Sequence, residues 1–91
     1  MNTPEALRLK ARLLVTELAE RAGVAIDSVS RIERGDTKNL RPLLLDKIGA
    51  ALQAAYAERG QEFHIATYID AAIERRDQRW FPRKQRREAH A

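Results

Sequence analysis

The middle of the sequence carries basic side chains at spacings that would bring them to one surface. They are Arg31, Arg34, Lys38 and Arg41. Guanidinium and ammonium groups bind phosphate oxygens through charge and hydrogen bonds, so these residues suit the phosphate-contacting rim of a nucleic-acid-binding surface. The alternative is a solvated basic face balanced by Glu33 and Asp36, since runs of charge usually lie in solvent.

The two histidines do not form a catalytic or metal-binding pattern. His64 and His90 lie far apart, and the sequence has no Ser-His-Asp signature, no metal-ligand spacing and no Gly-rich phosphate loop. The absence of cysteine removes disulfides, zinc–thiolate sites and cysteine nucleophiles. We therefore expect a protein that is not an enzyme and that holds no cofactor and no metal.

The composition is that of one small domain. The chain has 91 residues, of which 44% are hydrophobic and 5% aromatic, so its core must consist mainly of Leu, Ile, Val and Ala. No apolar run approaches the length of a transmembrane helix, and the N-terminus lacks a signal-peptide core. We expect a cytoplasmic protein without a membrane partner.

The net charge of +4 lies entirely in the C-terminal part of the chain. Residues 1–71 are neutral overall, whereas residues 72–91 carry seven basic and three acidic groups. Residues 1–71 therefore give little electrostatic support for DNA binding, although local patches of positive charge can exist. The last residues, RKQRREAHA, are too polar to pack and are predicted to be disordered.

Hydrophobic periodicity predicts an all-α fold, a compact five-helix bundle that contains a helix-turn-helix. The expected helices cover about residues 4–13, a second stretch ending at Ala22, residues 26–34, about 42–59 and about 62–79. Gly23 and Gly35 end two of them, and close packing explains Gly49 inside the fourth. We divide the chain into a helix-turn-helix domain (1–60), a fifth helix docking on it or on a partner (61–79) and a basic flexible tail (80–91).

Residues Val15–Arg34 contain two amphipathic runs joined at Gly23, the pattern of a helix-turn-helix. The residues that carry the resemblance are Leu18-Ala19, Gly23-Val24, Val29, Ile32 and Glu33-Arg34-Gly35. Over about residues 4–59 the chain resembles the phage repressor and Cro family, also called Xre-type. The resemblance implies a five-helix domain whose third helix enters the DNA major groove, usually in homodimers on palindromic operators.

Several surface positions depart from the family pattern. Leu14 and Ala25 stand where the resemblance implies helix-capping Ser or Thr, and Val15 stands where a Gln often contacts the DNA backbone. The base-reading positions are Ile26, Asp27, Ser28 and Arg31. Ile26 supplies no hydrogen-bond donor, and Asp27 repels phosphate unless it accepts from a cytosine amino group. Thr16 or Asp27 would restore a cap if the helices were shortened.

The C-terminal third has three features that the motif does not explain. An apolar stripe of Ile65, Ile69, Ala72 and Ile73 is either a dimer seam or, as we favour, a surface docked on the core. Trp80 and Phe81 either close the core or contact a partner. The tail residues Arg83, Lys84, Arg86 and Arg87 either bind phosphates or an acidic partner, or keep the chain soluble.

Two regulatory functions are compatible with these residues, and a purely structural helical adaptor explains the motif less well. The surface chemistry slightly favours an antiactivator that binds a partner transcription regulator through Leu14, Val15, Ala25, Ile26, Trp80 and Phe81. The alternative is a homodimeric repressor that reads operator DNA through Asp27, Ser28, Arg31, Arg34, Lys38 and Arg41. The sequence leaves monomer and homodimer open.

Overall fold

Residues 2–82, the part of the chain described by the computed structural model, form five α-helices. They are α1 (Pro4–Lys10), α2 (Val15–Ala22), α3 (Ile26–Arg34), α4 (Pro42–Glu58) and α5 (Ile65–Trp80). The prediction of an all-α five-helix bundle with a helix-turn-helix is confirmed. The predicted disorder of the basic tail concerns residues 83–91, which lie outside the described residues.

The ends of α2 and α3 follow from glycine, as the sequence predicts. Gly23 and Gly35 have φ angles of 69° and 74°, the left-handed conformation that favours glycine. The next amide after each glycine bonds back to the helix, from Val24 N to Ala19 O at 3.0 Å and from Asp36 N to Arg31 O at 2.9 Å. These closures set the angle at which α3 leaves α2.

The first helix is shorter than predicted, because it ends at Lys10 and not near residue 13. Arg12 adopts a φ of 58°, which breaks the helix although the residue is not glycine. The amide of Leu13 bonds to the Arg8 carbonyl at 3.4 Å, and the Leu13 side chain is buried. The burial of the Leu13 side chain in the core offsets the energetic cost of this backbone conformation.

The core is built from α2, α3, α4 and α5, in which α2 packs against α3 and α4, and α5 packs across α1, α3 and α4. The side chains with almost no exposed surface are Pro4, Leu18, Ala19, Val29, Ile32, Ile48, Leu52, Tyr68 and Ala72. A Cβ placed on Gly49 would lie 2.7 Å from Ile65 Cγ2. Close contact between α4 and the start of α5 thus requires glycine, as the sequence predicts.

The fifth helix begins three residues later than predicted, at Ile65. Phe63 precedes it in an extended segment, where its buried ring stacks on Tyr56 with centroids 4.5 Å apart. The Phe63 carbonyl accepts a hydrogen bond from Gln53 Nε2 at 3.3 Å. Packing of this ring under α4 is incompatible with an earlier helical start.

The face that α5 turns to the core is displaced from the predicted stripe. Tyr68, Ala71 and Ala72 are buried, and Ile69 packs against the core while partly exposed. Ile73 is 37% exposed and lies at the edge of this face. Hydrophobic periodicity therefore predicted the helix but placed the centre of its apolar face too close to Ile73. The predicted stripe did not include Tyr68, whose side chain is buried.

A buried ion pair joins α1 to α3. Arg8 donates to both carboxylate oxygens of Glu33, from Nε at 2.7 Å and from Nη2 at 3.0 Å, and the two side chains are only 9% and 7% exposed. Arg8 Nη1 also donates to the Leu13 carbonyl at 2.9 Å. The hydrogen bond to Glu33 raises the pKa of Arg8 above its ordinary value.

We expect loss of this ion pair to be far more costly than loss of an exposed pair of the same geometry. Glu33→Gln leaves Arg8 buried without its counter-charge and should lower the free energy of unfolding by about 3 kcal/mol. Glu58→Gln is the matched control, because Glu58 also accepts two hydrogen bonds from one guanidinium, from Arg21 Nη1 at 2.9 Å and Nη2 at 3.2 Å, on the exposed surface. Urea unfolding measures both, and equal effects would contradict the structural role assigned to Glu33.

Candidate nucleic-acid interface

The exposed side of α3 carries a stripe of charged residues. Val29 and Ile32 turn into the core, which leaves Asp27, Arg31 and Arg34 exposed at intervals of four and three residues. Residues at these intervals share one helix face. The helix therefore presents charge along the side opposite its core contacts.

An open groove of about 440 Å³ lies between this side of α3 and the start of α4. It is lined by Val24, Asp27, Ser28, Arg31, Thr37, Asn39, Arg41, Leu43, Leu44 and Lys47. Of the described residues that line it, Asp27 alone is acidic, against three cations, which leaves a formal charge of +2. Ser28, Thr37 and Asn39 add neutral hydrogen-bonding groups, so the lining suits an anionic, hydrogen-bonding ligand.

Asp27 and Arg31 form an ion pair across one helical turn. Arg31 Nε lies 2.9 Å from Asp27 Oδ2, with the side chains 60% and 69% exposed. Such exposed pairs stabilise a helix only weakly. The pair neutralises the one acidic group of the groove, and Arg31 can exchange Asp27 for another acceptor at little energetic cost.

The predicted basic rim divides into two parts. Arg31 and Arg41 line the groove, whereas Arg34 turns to Asp36, with Nε and Oδ2 2.8 Å apart. Arg79 of α5 approaches the same carboxylate at 3.3 Å. The hydrogen bond from Arg34 lowers the pKa of the Asp36 carboxyl below its ordinary value, and the charge of Arg79 adds to this shift.

Lys38 belongs to the second part of the rim. Its ammonium lies 5.8 Å from the centre of the Trp80 ring and 6.0 Å from that of Phe81. These distances fit a cation held over aromatic faces. Lys38 and Arg34 thus lie against the C-terminal end of α5, and Arg31 and Arg41 lie with Lys47 around the groove.

The apolar positions of the helix-turn-helix are not equivalent. Leu14 is 65% exposed and Ile26 is 51% exposed, whereas Val15 is partly buried and packs against the core. Of the apolar residues predicted to contact a partner from the helix-turn-helix, Leu14 and Ile26 are therefore exposed, whereas the Val15 side chain contributes to packing. Ala25 is exposed in the turn before α3.

The two helix starts keep the register implied by the family resemblance. Leu14 and Ala25 occupy the N-cap positions of α2 and α3, and their side chains carry no oxygen that could accept from the first turn. The helices are not shortened, so the suggestion that Thr16 or Asp27 serves as a cap is wrong. Glu17 partly compensates in α2, where its Oε1 accepts from the Leu14 amide at 2.8 Å.

Trp80 and Phe81 lie at the end of α5 and are 42% and 40% exposed. The indole Nε1 of Trp80 donates to the Gly35 carbonyl at 2.9 Å, which joins the end of α5 to the end of α3. Phe81 lies under the Arg76 guanidinium at 5.8 Å as well as near Lys38. Both rings thus contact the chain on one side and solvent on the other.

Sequence reasoning missed Lys47, Thr37 and Asn39 as lining residues of the groove. Thr37 and Asn39 lie in the loop between α3 and α4, and Lys47 follows Leu43 by one turn on the exposed side of α4. A four-residue interval on an amphipathic helix is a readable signal. The position of Lys47 beside α3, however, depends on how α3 and α4 are placed relative to each other, which hydrophobic periodicity does not predict.

Within residues 2–82, no helix is both long enough and apolar enough to cross a membrane. The same part of the chain contains no group of three or more His, Cys, Asp or Glu side chains placed to hold a metal ion.

Comparison with known families matches residues 5–58 to the family described as helix-turn-helix, the family of Xre and phage-repressor-like proteins. The match covers more than half of the chain and includes α1 to α4. The chain belongs to this family. It is a family of DNA-binding regulators, and α5 lies beyond the matched segment. Neither a search of curated proteins nor a search of solved structures gave a match.

Proposed function

We propose that this helix-turn-helix protein is a sequence-specific DNA-binding transcription regulator that reads DNA with α3. The observation that carries the proposal is the groove beside α3, where Arg31, Arg41 and Lys47 face a single acidic neighbour, Asp27. Phosphate neutralisation by such cations supplies most of the affinity of DNA-binding proteins. Family membership supports the same function.

The charge of the groove supports DNA binding although residues 1–71 are neutral overall. Affinity depends on the charge that faces DNA, and the lining of this groove is positive although the domain is balanced overall. Arg41 and Lys47 are assigned to backbone phosphates, because they come from the loop and from α4 at the rim. Arg31, on α3 itself, is assigned to a base edge, which its guanidinium can contact at two points.

Asp27 takes a role that depends on its partner. In the free protein its carboxylate binds Arg31 at 2.9 Å. When Arg31 turns to a base, the carboxylate becomes available to accept from a cytosine amino group in the major groove. The pair would then read two neighbouring bases, so the acidic residue contributes to specificity and does not simply oppose binding.

We expect Lys47→Ala to weaken DNA binding about threefold or more on every sequence tested and to reduce the salt dependence by about one phosphate contact. Arg59→Ala is the control, because Arg59 lies at the other end of α4, roughly 18 Å away along the helix axis, and is also exposed. The target is a duplex selected from a random-sequence library by the full chain. Fluorescence anisotropy at about 50 and 200 mM salt measures both quantities.

Equal effects of the two substitutions would show that the groove is not the contact surface. Failure of the library to yield any enriched sequence would exclude sequence-specific binding altogether. If the library yields an enriched sequence but Lys47→Ala leaves the salt dependence of binding unchanged, the phosphate contacts lie elsewhere on the domain.

A protein-binding antiactivator is the second function, and the exposure of the apolar residues favours it. Leu14 and Ile26 remain 65% and 51% exposed at the starts of α2 and α3, and Leu43 is 67% exposed at the start of α4. Apolar side chains at these positions supply no donor to DNA but do supply surface that a partner protein can bury. Under this proposal a transcription regulator binds the helix-turn-helix and occupies the surface that would otherwise face an operator.

We expect Ile26→Glu to abolish binding of such a partner while it leaves the thermal unfolding midpoint nearly unchanged, because Ile26 is half exposed and lies outside the core. Val29→Glu is the matched control on the same helix, since Val29 is fully buried and its substitution should unfold the domain. A pull-down from cells that carry the gene, with the captured regulator identified by mass spectrometry, measures binding. Retention of the regulator by Ile26→Glu would exclude this surface.

A further inference from the structure

The C-terminal end of α5 forms three hydrogen bonds to the backbone around the end of α3. Arg75 Nε donates to the Glu33 carbonyl at 3.0 Å, and Trp80 Nε1 donates to the Gly35 carbonyl at 2.9 Å. Arg76 Nη1 donates to the Lys38 carbonyl at 3.1 Å. The acceptors lie at the last turn of α3 and in the loop that follows, where backbone carbonyls lack helical partners.

Side-chain contacts reinforce the same junction. Arg79 approaches the Asp36 carboxylate at 3.3 Å, and the Lys38 ammonium lies over the Trp80 and Phe81 rings. A Cβ on Gly35 would lie 2.9 Å from the Arg75 carbonyl oxygen. The backbones of α3 and α5 therefore meet in close contact at Gly35.

The loop held in this way connects the two sides of the groove. Residues 36–41 contain no helical turn and supply Thr37, Asn39 and Arg41 to the lining. A loop of this kind loses conformational freedom on binding unless its structure is fixed beforehand. In the free protein, Arg75 and Trp80 bind the end of α3 from which the loop leaves, and Arg76 binds the loop itself at the Lys38 carbonyl.

We infer that Arg75, Arg76 and Trp80 form a clamp, the α5 clamp, which holds the loop between α3 and α4 in the conformation that presents Arg41 and Asn39 to DNA. Its effect on DNA affinity rests on the proposed function, whereas its effect on the loop does not. These three are positioning residues, because they act through the backbone at the end of α3 and in the loop. The helix that carries them lies beyond the segment matched by the family.

The test uses two substitutions that conserve charge. Trp80→Phe removes the indole donor and keeps an aromatic ring beside Lys38, and Arg76→Lys removes the guanidinium donor. Tyr68→Phe is the matched control on the same helix, because the buried Tyr68 hydroxyl has no hydrogen-bond partner among the described residues. All three are made in the full chain, and urea unfolding confirms that each variant is folded.

Amide hydrogen exchange measures the opening of the end of α3, from which the loop leaves. The amides of Gly35 and Asp36 close the end of α3, and those of Gly23 and Val24 close the end of α2 through equivalent bonds. The clamp predicts that Trp80→Phe and Arg76→Lys raise exchange at Gly35 and Asp36 about threefold or more relative to Gly23 and Val24. Tyr68→Phe should leave this ratio unchanged. An unchanged ratio in both clamp variants, or the same change in Tyr68→Phe, would overturn the inference.

DNA affinity provides the second measurement, with the duplex selected by the full chain. The clamp variants should bind about three- to tenfold more weakly than the wild type, with the same salt slope because no charge is lost. Affinity within twofold of the wild type would overturn the link between the clamp and DNA. If the wild type binds no DNA, the proposed function fails, and the exchange ratio still decides whether the clamp exists.

Discussion

The buried ion pair between Arg8 and Glu33 is the interaction on which the arrangement of the helices depends. Both carboxylate oxygens bind the guanidinium, which also binds the Leu13 carbonyl where the chain turns from α1 to α2. The Glu33 backbone carbonyl in turn accepts from Arg75 of α5. Because buried charges are stable only with their partners in place, the pair joins α1 to α3, and the Arg75 hydrogen bond attaches α5 to the same residue of α3. The helix that these contacts hold, α3, carries the surface proposed to read DNA.

The structure separates the packing role of the helix-turn-helix from its binding role. Val29 and Ile32 join α3 to the core, while the other side of the helix borders a positive groove that α4 and the intervening loop complete. Of the apolar residues at positions where the family usually carries polar ones, Leu14 and Ile26 are exposed, whereas Val15 is partly buried against the core. The helix-turn-helix positions alone suggest a more apolar surface than the structure has. The cations of the groove lie on three different segments, which are α3, the loop that follows it and α4.

Local chemistry made much of the fold predictable, and non-local contacts account for the rest. Gly23, Gly35 and Pro42 marked helix limits correctly because left-handed turns and proline starts are properties of single residues. The end of α1 was misjudged because Arg12 takes a conformation typical of glycine. The start of α5 was misjudged because Phe63 stacks on Tyr56 in another helix. The partner of Glu33 lies 25 positions away, and Lys47 reaches the groove only through helix crossing. No sequence pattern indicates that Arg8 pairs with Glu33 or that Lys47 lies in the groove.

The central claim is that the groove between α3 and α4 is the surface that contacts DNA. The most direct test is an NMR titration of the isotope-labelled full chain with its selected duplex, in which the backbone amide shifts are followed residue by residue. The account predicts that the largest changes cluster at Ser28, Arg31, Asn39, Arg41 and Lys47, with little change at the far end of α4 around Arg59. Changes centred on α1 or on the far end of α4, with the groove amides unaffected, would contradict it.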